Sequence, residues 1–341
     1  MKIIIDVMSG DNAPDEILKG AFMAKNELGH ELILVGNTDD MNECAKKYGL
    51  DLNAEGIEIV HASEVVKMDD EALAVKNKKD SSMTVALRLL KEGKGDAVVS
   101  AGNTGALYTG AVLLVSRIRG FRKAGIATVL PFEAPVLLLD SGANTVVTDE
   151  NLEQFALIGS LYMSKVLGVK NPRVGLLNNG IERTKGTQVH QDTYVRLEEN
   201  ENINFVGNIE CKVLPFNSCD VLVTDGFTGN AVLKLTEGLG AFFMKKLKTV
   251  FKKNAVTKVS AMMVKPGLKQ MKKDFDASEH GGAPLLGISK PVLKAHGGSD
   301  AKAIKNAVRA AAVYAESNII SEITALSETL LSKKDNEQVS Q

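Results

Sequence analysis

The chain has 341 residues, 44% hydrophobic and 24% charged, enough to bury a large core as one unit or two intimately joined halves. A formal charge of −1, no Trp and 5% aromatic residues exclude bulk nucleic-acid binding and stacking platforms for bases or sugars. Cys44, Cys211 and Cys219 show no C-x-x-C spacing and no adjoining histidine cluster, so neither a disulfide framework nor a structural zinc site is indicated, and a reducing cytosol fits best.

The amino terminus enters at once an apolar run at 3–7, without the pattern of a signal peptide. No stretch of about twenty apolar residues suggests a membrane span, so any contact with a membrane is expected at its surface. Further short runs rich in Val, Ile and Leu, at 32–35, 57–60, 96–99, 126–130, 136–139, 174–177 and 221–223, read as strands buried on both faces. Helical patterns separate most of them. Pro14 occupies a first helical turn, Thr38-Asp-Asp opens a second helix, and Ser81 precedes a periodic run through Leu90. This alternation predicts an α/β fold with a mainly parallel, doubly wound sheet. The runs 126–130 and 136–139 are separated only by Pro131-Phe-Glu-Ala-Pro135, too short for a crossover helix, so the sheet is expected to be mixed.

A helix from about Glu150 to Gly168, capped by Thr148-Asp149, marks a hinge near residue 150. Helical patterns follow from Thr228 to about Phe251 and from Asp300 to about Leu331, the latter with Ser299 as N-cap. Residues 1–331 are expected to form one catalytic unit of two joined halves, with 332–341 a polar, frayed tail.

Polar, glycine-broken turns follow five of the apolar runs: Asp6-Val-Met-Ser-Gly-Asp11, Ser100-Ala-Gly-Asn-Thr-Gly105, Leu139-Asp-Ser-Gly-Ala-Asn144, Leu177-Asn-Asn-Gly180 and Asp220 through Lys234. The last carries Asp225, Thr228 and Asn230 and opens a helix, where unpaired N–H groups and the helix dipole suit an anion or a developing oxyanion. In an open α/β sheet such turns gather beyond the carboxyl ends of parallel strands, which points to an enzyme pocket for small anions.

Signatures for dinucleotides, P-loops, serine hydrolases and zincins are absent, and the histidines, His30, His61, His190, His280 and His296, lack i,i+4 partners for a metal. Lys185, in Gly175 through Gly186, is either an anion ligand or a solvated surface lysine. Asn230 is either functional or a helix cap. Gly281-Gly-Ala-Pro-Leu-Leu-Gly287 and Ala295-His-Gly-Gly-Ser-Asp300 either wrap a ligand or only permit tight turns. Asp6, Asp11, Asp140 and Asp225 have Asx turns as their default role. Between Lys245 and Lys273 lie ten lysines and no acidic residue, interleaved with Val256, Val259, Met262, Met263, Leu268 and Met271. This basic amphipathic segment, 252–273 in its main part, suits an anionic membrane surface, an acidic protein, or a helical face packed on the core.

Taken together, Asp6 through Pro14, Ser100 through Ala106, Leu139 through Asn144, Asp220 through Lys234, His280 through Gly287 and Ala295 through Asn306 resemble the phosphate acyltransferase family of bacterial phospholipid synthesis. The resemblance spans Lys2 to about Leu330. Two departures are visible: Val7 and Ser9 replace the family's usual Ala and Gly, and Ile181 stands where its N-x-G-E-E turn carries an acidic residue.

The resemblance implies a phosphotransacetylase-like, isocitrate/isopropylmalate dehydrogenase-like fold with a groove between two halves, a homodimer, and no metal or cofactor. The implied reaction takes a long-chain acyl-[acyl carrier protein] and inorganic phosphate to acyl phosphate and free carrier. It places Lys185 on the phosphate and Asn230 on the thioester carbonyl, with Asn103, Thr104, Asn144, Asp225 and His296 around the phosphate or the pantetheine arm. Val259, Met262, Met263, Lys265 and Leu268 would seat a cytoplasmic, peripheral dimer on an anionic membrane, handing its product to a membrane acyltransferase. A short-chain phosphotransacetylase using acyl-CoA, an NAD-linked decarboxylating dehydrogenase and a membrane-surface scaffold for lipid-synthesis enzymes are the alternatives.

Overall fold

Ile3, Ile4 and Ile5 have no exposed surface, as a strand covered by helices on both faces requires, and they form the centre of β1 (Lys2–Asp6). The computed structural model describes residues 1–132, 134–274 and 281–327. After β1 come α1 (Asp15–Leu28), β2 (Glu31–Gly36), α2 (Thr38–Tyr48), β3 (Ile57–His61), a short α3 (Ala74–Asn77), α4 (Ser82–Lys91), β4 (Ala97–Ser100) and α5 (Thr104–Gly110), which continues as a π-helical turn over Ala111–Val115. Next are β5 (Gly125–Leu130), β6 (Val136–Leu139), α6 (Asp149–Lys165), β7 (Arg173–Leu177), α7 (Gln188–Glu199), β8 (Asn204–Ile209), a 3-10 segment over Cys211–Phe216, and β9 (Val221–Val223). The chain continues through α8 (Gly226–Phe251), α9 (Ala255–Asp274), β10 (Ala283–Leu286), β11 (Val292–Lys294) and α10 (Ala301–Glu316).

These strands form one 11-stranded sheet in the order β3-β2-β1-β4-β11-β10-β5-β6-β9-β7-β8. The sheet is mixed, and Pro131–Pro135 does connect an antiparallel pair, Leu130 opposite Val136. Because β11–β10, β10–β5 and β5–β6 are all antiparallel, β6, β7, β8 and β9 run opposite to β1, β2, β3, β4 and β11. One expectation therefore needs correction: the polar turns do not share one carboxyl edge of parallel strands. Contacts through α5 and α8, described below, bring them together instead.

Leu18 of α1, Phe155 of α6 and Val308 of α10 cover one face of the sheet, and Met83 and Leu87 of α4 with Leu107 of α5 cover the other. Full burial of each such side chain contributes about 1.5–3 kcal/mol. Thr148 caps α6 through a reciprocal capping box with Asn151, and Ser81 caps α4 by accepting the Thr84 N–H. At α10 the cap is Asp300 rather than Ser299, its carboxylate accepting the Ala303 N–H at 2.8 Å. Nor does that helix run on unbroken. It ends at Glu316, Asn318 takes a left-handed backbone (φ 53°), and a separate helical run covers 319–327. The expected tail, 332–341, lies outside the described residues.

The strands not anticipated are β8, where Asn204, Gly207 and Asn208 interrupt the apolar pattern, and β10 and β11, at four and three residues. The segment 281–287, read as a glycine-rich turn, is instead β10 flanked by left-handed glycines, Gly282 (φ 90°) and Gly287 (φ 95°). His280 lies outside the described residues.

In α8 the buried residues are Gly226 and Gly229; the helix then leaves the body of the protein and α9 folds back along it. No described side chain of α9 is buried, and a β-carbon added at Gly238, Gly240 or Gly267 would meet nothing within 4 Å. The basic amphipathic segment is therefore not packed on the core. Among the described residues, no helix is long and apolar enough to cross a membrane.

Candidate active site

The turn after β6 is organised by Asp140, which is fully buried. Its Oδ1 accepts N–H groups from Ile126 at 3.1 Å, Gly142 at 2.9 Å and Ala143 at 2.9 Å. Its Oδ2 accepts the Asn144 main-chain N–H at 2.7 Å and side-chain Nδ2 at 2.8 Å. Such a set of donors replaces the hydration a buried carboxylate loses. Asn144 Nδ2 also donates to the Ala124 carbonyl at 2.6 Å. The Tyr108 hydroxyl of α5 lies 3.1 Å from Asn144 Oδ1 and 3.1 Å from the Ala124 carbonyl, donating to one at a time. The Tyr108–Asn144 contact joins the turn after β4 to the turn after β6.

On this platform sits the first turn of α8. The Asn144 carbonyl accepts the Gly226 N–H at 2.7 Å, and a β-carbon on Gly226 would come within 2.7 Å of the Asn144 nitrogen. Asp225 is the N-cap, accepting from the Thr228 N–H at 2.9 Å and the Thr228 hydroxyl at 2.6 Å. Asn230, exposed at the end of this turn, faces Gly142: a β-carbon on that glycine would lie 3.7 Å from its amide. Among the described residues its side chain has no hydrogen-bond partner. An amide donor is thus held free beside the positive end of a helix dipole.

Lys185 lies in the loop between β7 and α7, three residues before the helix begins. Gly180 gives its stem room, since a β-carbon there would sit 2.9 Å from Lys185 Cγ. The Asn178 side chain donates to the Lys185 carbonyl at 3.2 Å, and Gly186 turns the chain with φ 85°. The ammonium is exposed and makes no ion pair among the described residues. His190, stacked under Gly186, lies 2.8 Å from the Thr187 hydroxyl. Burial lowers the His190 pKa, and the Asp225 carboxylate opposes that shift. His190, in the first turn of the helix that follows the Lys185 loop, is therefore an electrostatic neighbour of the α8 cap.

A second group forms where β1, β4 and β11 end. Ser100 donates to Asp6 Oδ2 at 2.7 Å and accepts the Gly102 N–H at 3.1 Å. Burial pushes the Asp6 carboxyl above its ordinary range, against the hydrogen bond from Ser100. Ser9 and Ser82 lie beside it, yet their hydroxyls, like Asp6 Oδ1, find no aligned partner. The Asp11 N–H donates to the Gly297 carbonyl at 2.8 Å, and Asn12 reaches the Gly298 carbonyl at 3.2 Å. His296 is exposed, and its Nδ1 accepts the Gly298 N–H at 3.1 Å. Lys294 is buried at the end of β11, where its ammonium donates to the Ala101 carbonyl at 3.2 Å and to the Ala295 carbonyl.

The residues expected at the site divide into engaged and exposed side chains. Asn103 accepts the Ala106 N–H at 3.0 Å and donates to the carbonyls of Met68 at 3.0 Å and Asp70 at 2.8 Å. Asn144 is 7% exposed with its polar atoms occupied. Asp225 is engaged as a cap. The side chains of these three make hydrogen bonds within the protein. Thr104, Lys185, Asn230 and His296 are exposed. Val259, Met262, Met263, Lys265 and Leu268 all lie on α9, in the projecting hairpin. Asp6, expected to stabilise a turn, points inward. Sequence reasoning missed Lys294, Tyr108 and His190; the available signal for Lys294 was a lysine closing the short run Pro291-Val-Leu-Lys294 before a glycine turn.

The fold is that of the phosphotransacetylases: the structure of one from Streptococcus pyogenes matches with a TM-score of 0.65 at 18% identity, covering 92% of this chain and 94% of that one. Sequence narrows the class. Residues 1–322 match the family described as fatty acid synthesis protein. The chain is 44% identical over 326 residues to the phosphate acyltransferase of Alkaliphilus oremlandii, covering 95% of this chain and 96% of the relative. It is 46% identical over 327 residues to that of Fusobacterium nucleatum, covering 95% and 98%. The chain belongs to this phosphate acyltransferase family and is an enzyme of the transferase class.

Proposed function

We propose that the enzyme transfers the long-chain acyl group of an acyl carrier protein thioester to inorganic phosphate. The observation that carries the reading is the Asn230 amide on the first turn of α8, without a partner among the described residues, with His190, just after the Lys185 loop, an electrostatic neighbour of Asp225 on that turn. An oxygen of hydrogenphosphate attacks the thioester carbon, the carbonyl oxygen gathers charge, the C–S bond breaks, and the phosphate proton leaves with the carrier thiol. A thiol has a pKa of roughly 8.5 by analogy with cysteine, so departure needs little acid assistance. Positioning and charge are what the protein must supply.

In this reading Lys185 binds and aims phosphate, and Asn230 donates to the developing oxyanion. Thr104 and His296 serve the phosphate or the pantetheine arm, while Asn103, Asn144 and Asp225 keep the frame. Residues 1–331 act as one catalytic unit, working as a cytoplasmic homodimer. The α8–α9 hairpin, exposing Val259, Met262 and Met263 among lysines, seats it on an anionic membrane surface, where the acyl phosphate passes to a membrane acyltransferase.

The test is phosphate-dependent thiol release from palmitoyl-acyl carrier protein, with the product trapped by hydroxylamine as the hydroxamate. Palmitoyl-CoA and acetyl-CoA serve as comparison substrates. Release requiring both phosphate and the carrier protein is expected. The likeness to phosphotransacetylases favours one second reading, a short-chain acyl-CoA enzyme, which release from acetyl-CoA alone would establish.

A further inference from the structure

Ile181 through Gln188, the stretch that carries Lys185, are all exposed, so this loop buries no side chain of its own to hold it on the body of the protein. Arg183 pairs with Glu198 at 2.9 Å and lies over the Tyr194 ring at 5.5 Å, but exposed contacts of this kind contribute little. What fixes the main chain of the loop is a set of side-chain donors from three elements around it. Gln191 Nε2 of α7 donates to the Thr184 carbonyl at 2.8 Å, Asn178 at the end of β7 to the Lys185 carbonyl at 3.2 Å, and Asn208 Nδ2 of β8 to the Glu182 carbonyl at 2.9 Å. The Glu182 carbonyl also accepts the Lys185 N–H at 3.1 Å, which closes the turn that ends on Lys185.

Of the three donors only Asn208 is buried, at 5% exposure, and a local irregularity puts it there. β7 and β8 pair with Val174 opposite Phe205 and then with Leu176 opposite Asn208, so β8 carries one residue more than β7 between these pairs, beside the left-handed Gly207 (φ 91°). Without that bulge Asn208 would turn to the other face of the sheet, because a slip of one residue reverses every side chain. Its Oδ1 is buried with no partner among the described residues. An apolar residue of similar shape would spare the fold that unmet acceptor, so stability alone does not account for the amide.

We propose that Asn208 is a positioning residue for the transfer: through the Glu182 carbonyl it fixes the turn whose last residue is Lys185, and so sets where the Lys185 ammonium meets phosphate. This rests on the reading that Lys185 binds inorganic phosphate. With its main chain anchored, the exposed ammonium sweeps a smaller volume, which keeps the bound anion aligned with the thioester carbon.

The experiment is phosphate-dependent thiol release from palmitoyl-acyl carrier protein by wild type, Asn208→Leu, Lys185→Ala and the double variant, with the melting temperature of each. Leu is close to Asn in shape, so Asn208→Leu is expected to fold with little change in melting temperature. Its kcat/KM for phosphate should fall roughly tenfold to a hundredfold, the scale of loss from a small misplacement of a reacting group, while the KM for the thioester stays as in wild type. In the Lys185→Ala background the same substitution should alter the rate by no more than about twofold, because the residue through which Asn208 acts is gone. An equal loss with and without Lys185 marks a residue that only supports the fold and overturns the proposal, as does a kcat/KM for phosphate left unchanged by Asn208→Leu. If Lys185→Ala has no measurable rate, the KM values decide, and a thioester KM that rises together with the phosphate KM overturns it. If Asn208→Leu does not fold, Asn208→Ala, smaller and likewise without the donor, takes its place under the same criteria. Wild type that shows no phosphate-dependent release overturns the functional reading, and this one with it.

Discussion

Gly229 lies so close to Asp140 that a β-carbon placed on it would overlap the Asp140 carbonyl oxygen. That approach seats the first turn of α8 on the turn after β6. Gly229→Ala must push the helix outward and displace Asn230. We expect a loss of about 1–3 kcal/mol in stability, as for other overpacked sites, with a fall in kcat larger than the stability change explains. Urea unfolding and steady-state kinetics on the same preparation check this.

Asn230→Ala has no hydrogen bond to break among the described residues, so the melting temperature should hardly move. Loss of one oxyanion donor should lower kcat about a hundredfold, or about 3 kcal/mol. Near-normal turnover by the folded variant would remove Asn230 from the mechanism. Lys185→Ala, by contrast, should raise the phosphate KM.

Asn144→Ala strips donors from the Ala124 carbonyl and from Asp140 Oδ2 and leaves Tyr108 one acceptor fewer. Each buried group left unpaired costs about 1–3 kcal/mol. A lowered melting temperature is expected, with kcat reduced and no selective effect on one substrate's KM. A selective rise in the phosphate KM at unchanged melting temperature would return Asn144 to the list of ligand contacts.

Met262 and Met263 are 67% and 80% exposed on α9. Replacing both with Asp should abolish binding to anionic liposomes and spare activity in solution. If liposome binding survives, the lysines of the hairpin are better assigned to docking an acidic carrier protein.

The buried charge of Lys294 also leaves a mark on stability. Its pKa falls from 10.5 to about 8 on folding, so between those values the unfolded chain holds a proton the folded one has released. Stability therefore rises with pH across this window, and the cost of burying the charge, on the order of 3 kcal/mol, is present in full below it. Any advantage of Lys294→Met over wild type should be greatest at pH 7 and shrink by that amount toward pH 10.5. Comparing the two proteins cancels Cys44 and Cys219, whose thiols burial pushes up to about 11 and about 12 and which act in the opposite direction.

The strands built from unbroken Val, Ile and Leu, such as Ile3–Ile5 or Val136–Leu139, were legible because burial on both faces leaves a continuous apolar run. β8 was not, because Gly207 and Asn208 sit inside it, and β10 with β11 were too short to stand out from their flanking glycines. Turn chemistry located the polar residues correctly along the chain. It could not say which way they point: Asn103 and Asn144 turn inward to main-chain groups, whereas Asn230 does not. Lys294 was overlooked because a lysine closing an apolar run, even one before a glycine turn, looks like a surface residue, and the neighbouring strands are what enclose it.

β10 and β11 are among the latest parts of the chain to be synthesised, yet they occupy the middle of the sheet, between β4 and β5. Until residues 283–294 have left the ribosome, β4 and β5 each present a bare strand edge, open to pairing with any extended peptide. Nascent or truncated chains that stop short of β10 should therefore depend on chaperones far more than the finished enzyme does. Lys294 arrives on the strand that closes the gap, so an incomplete chain lacks both the closed sheet and the buried cation.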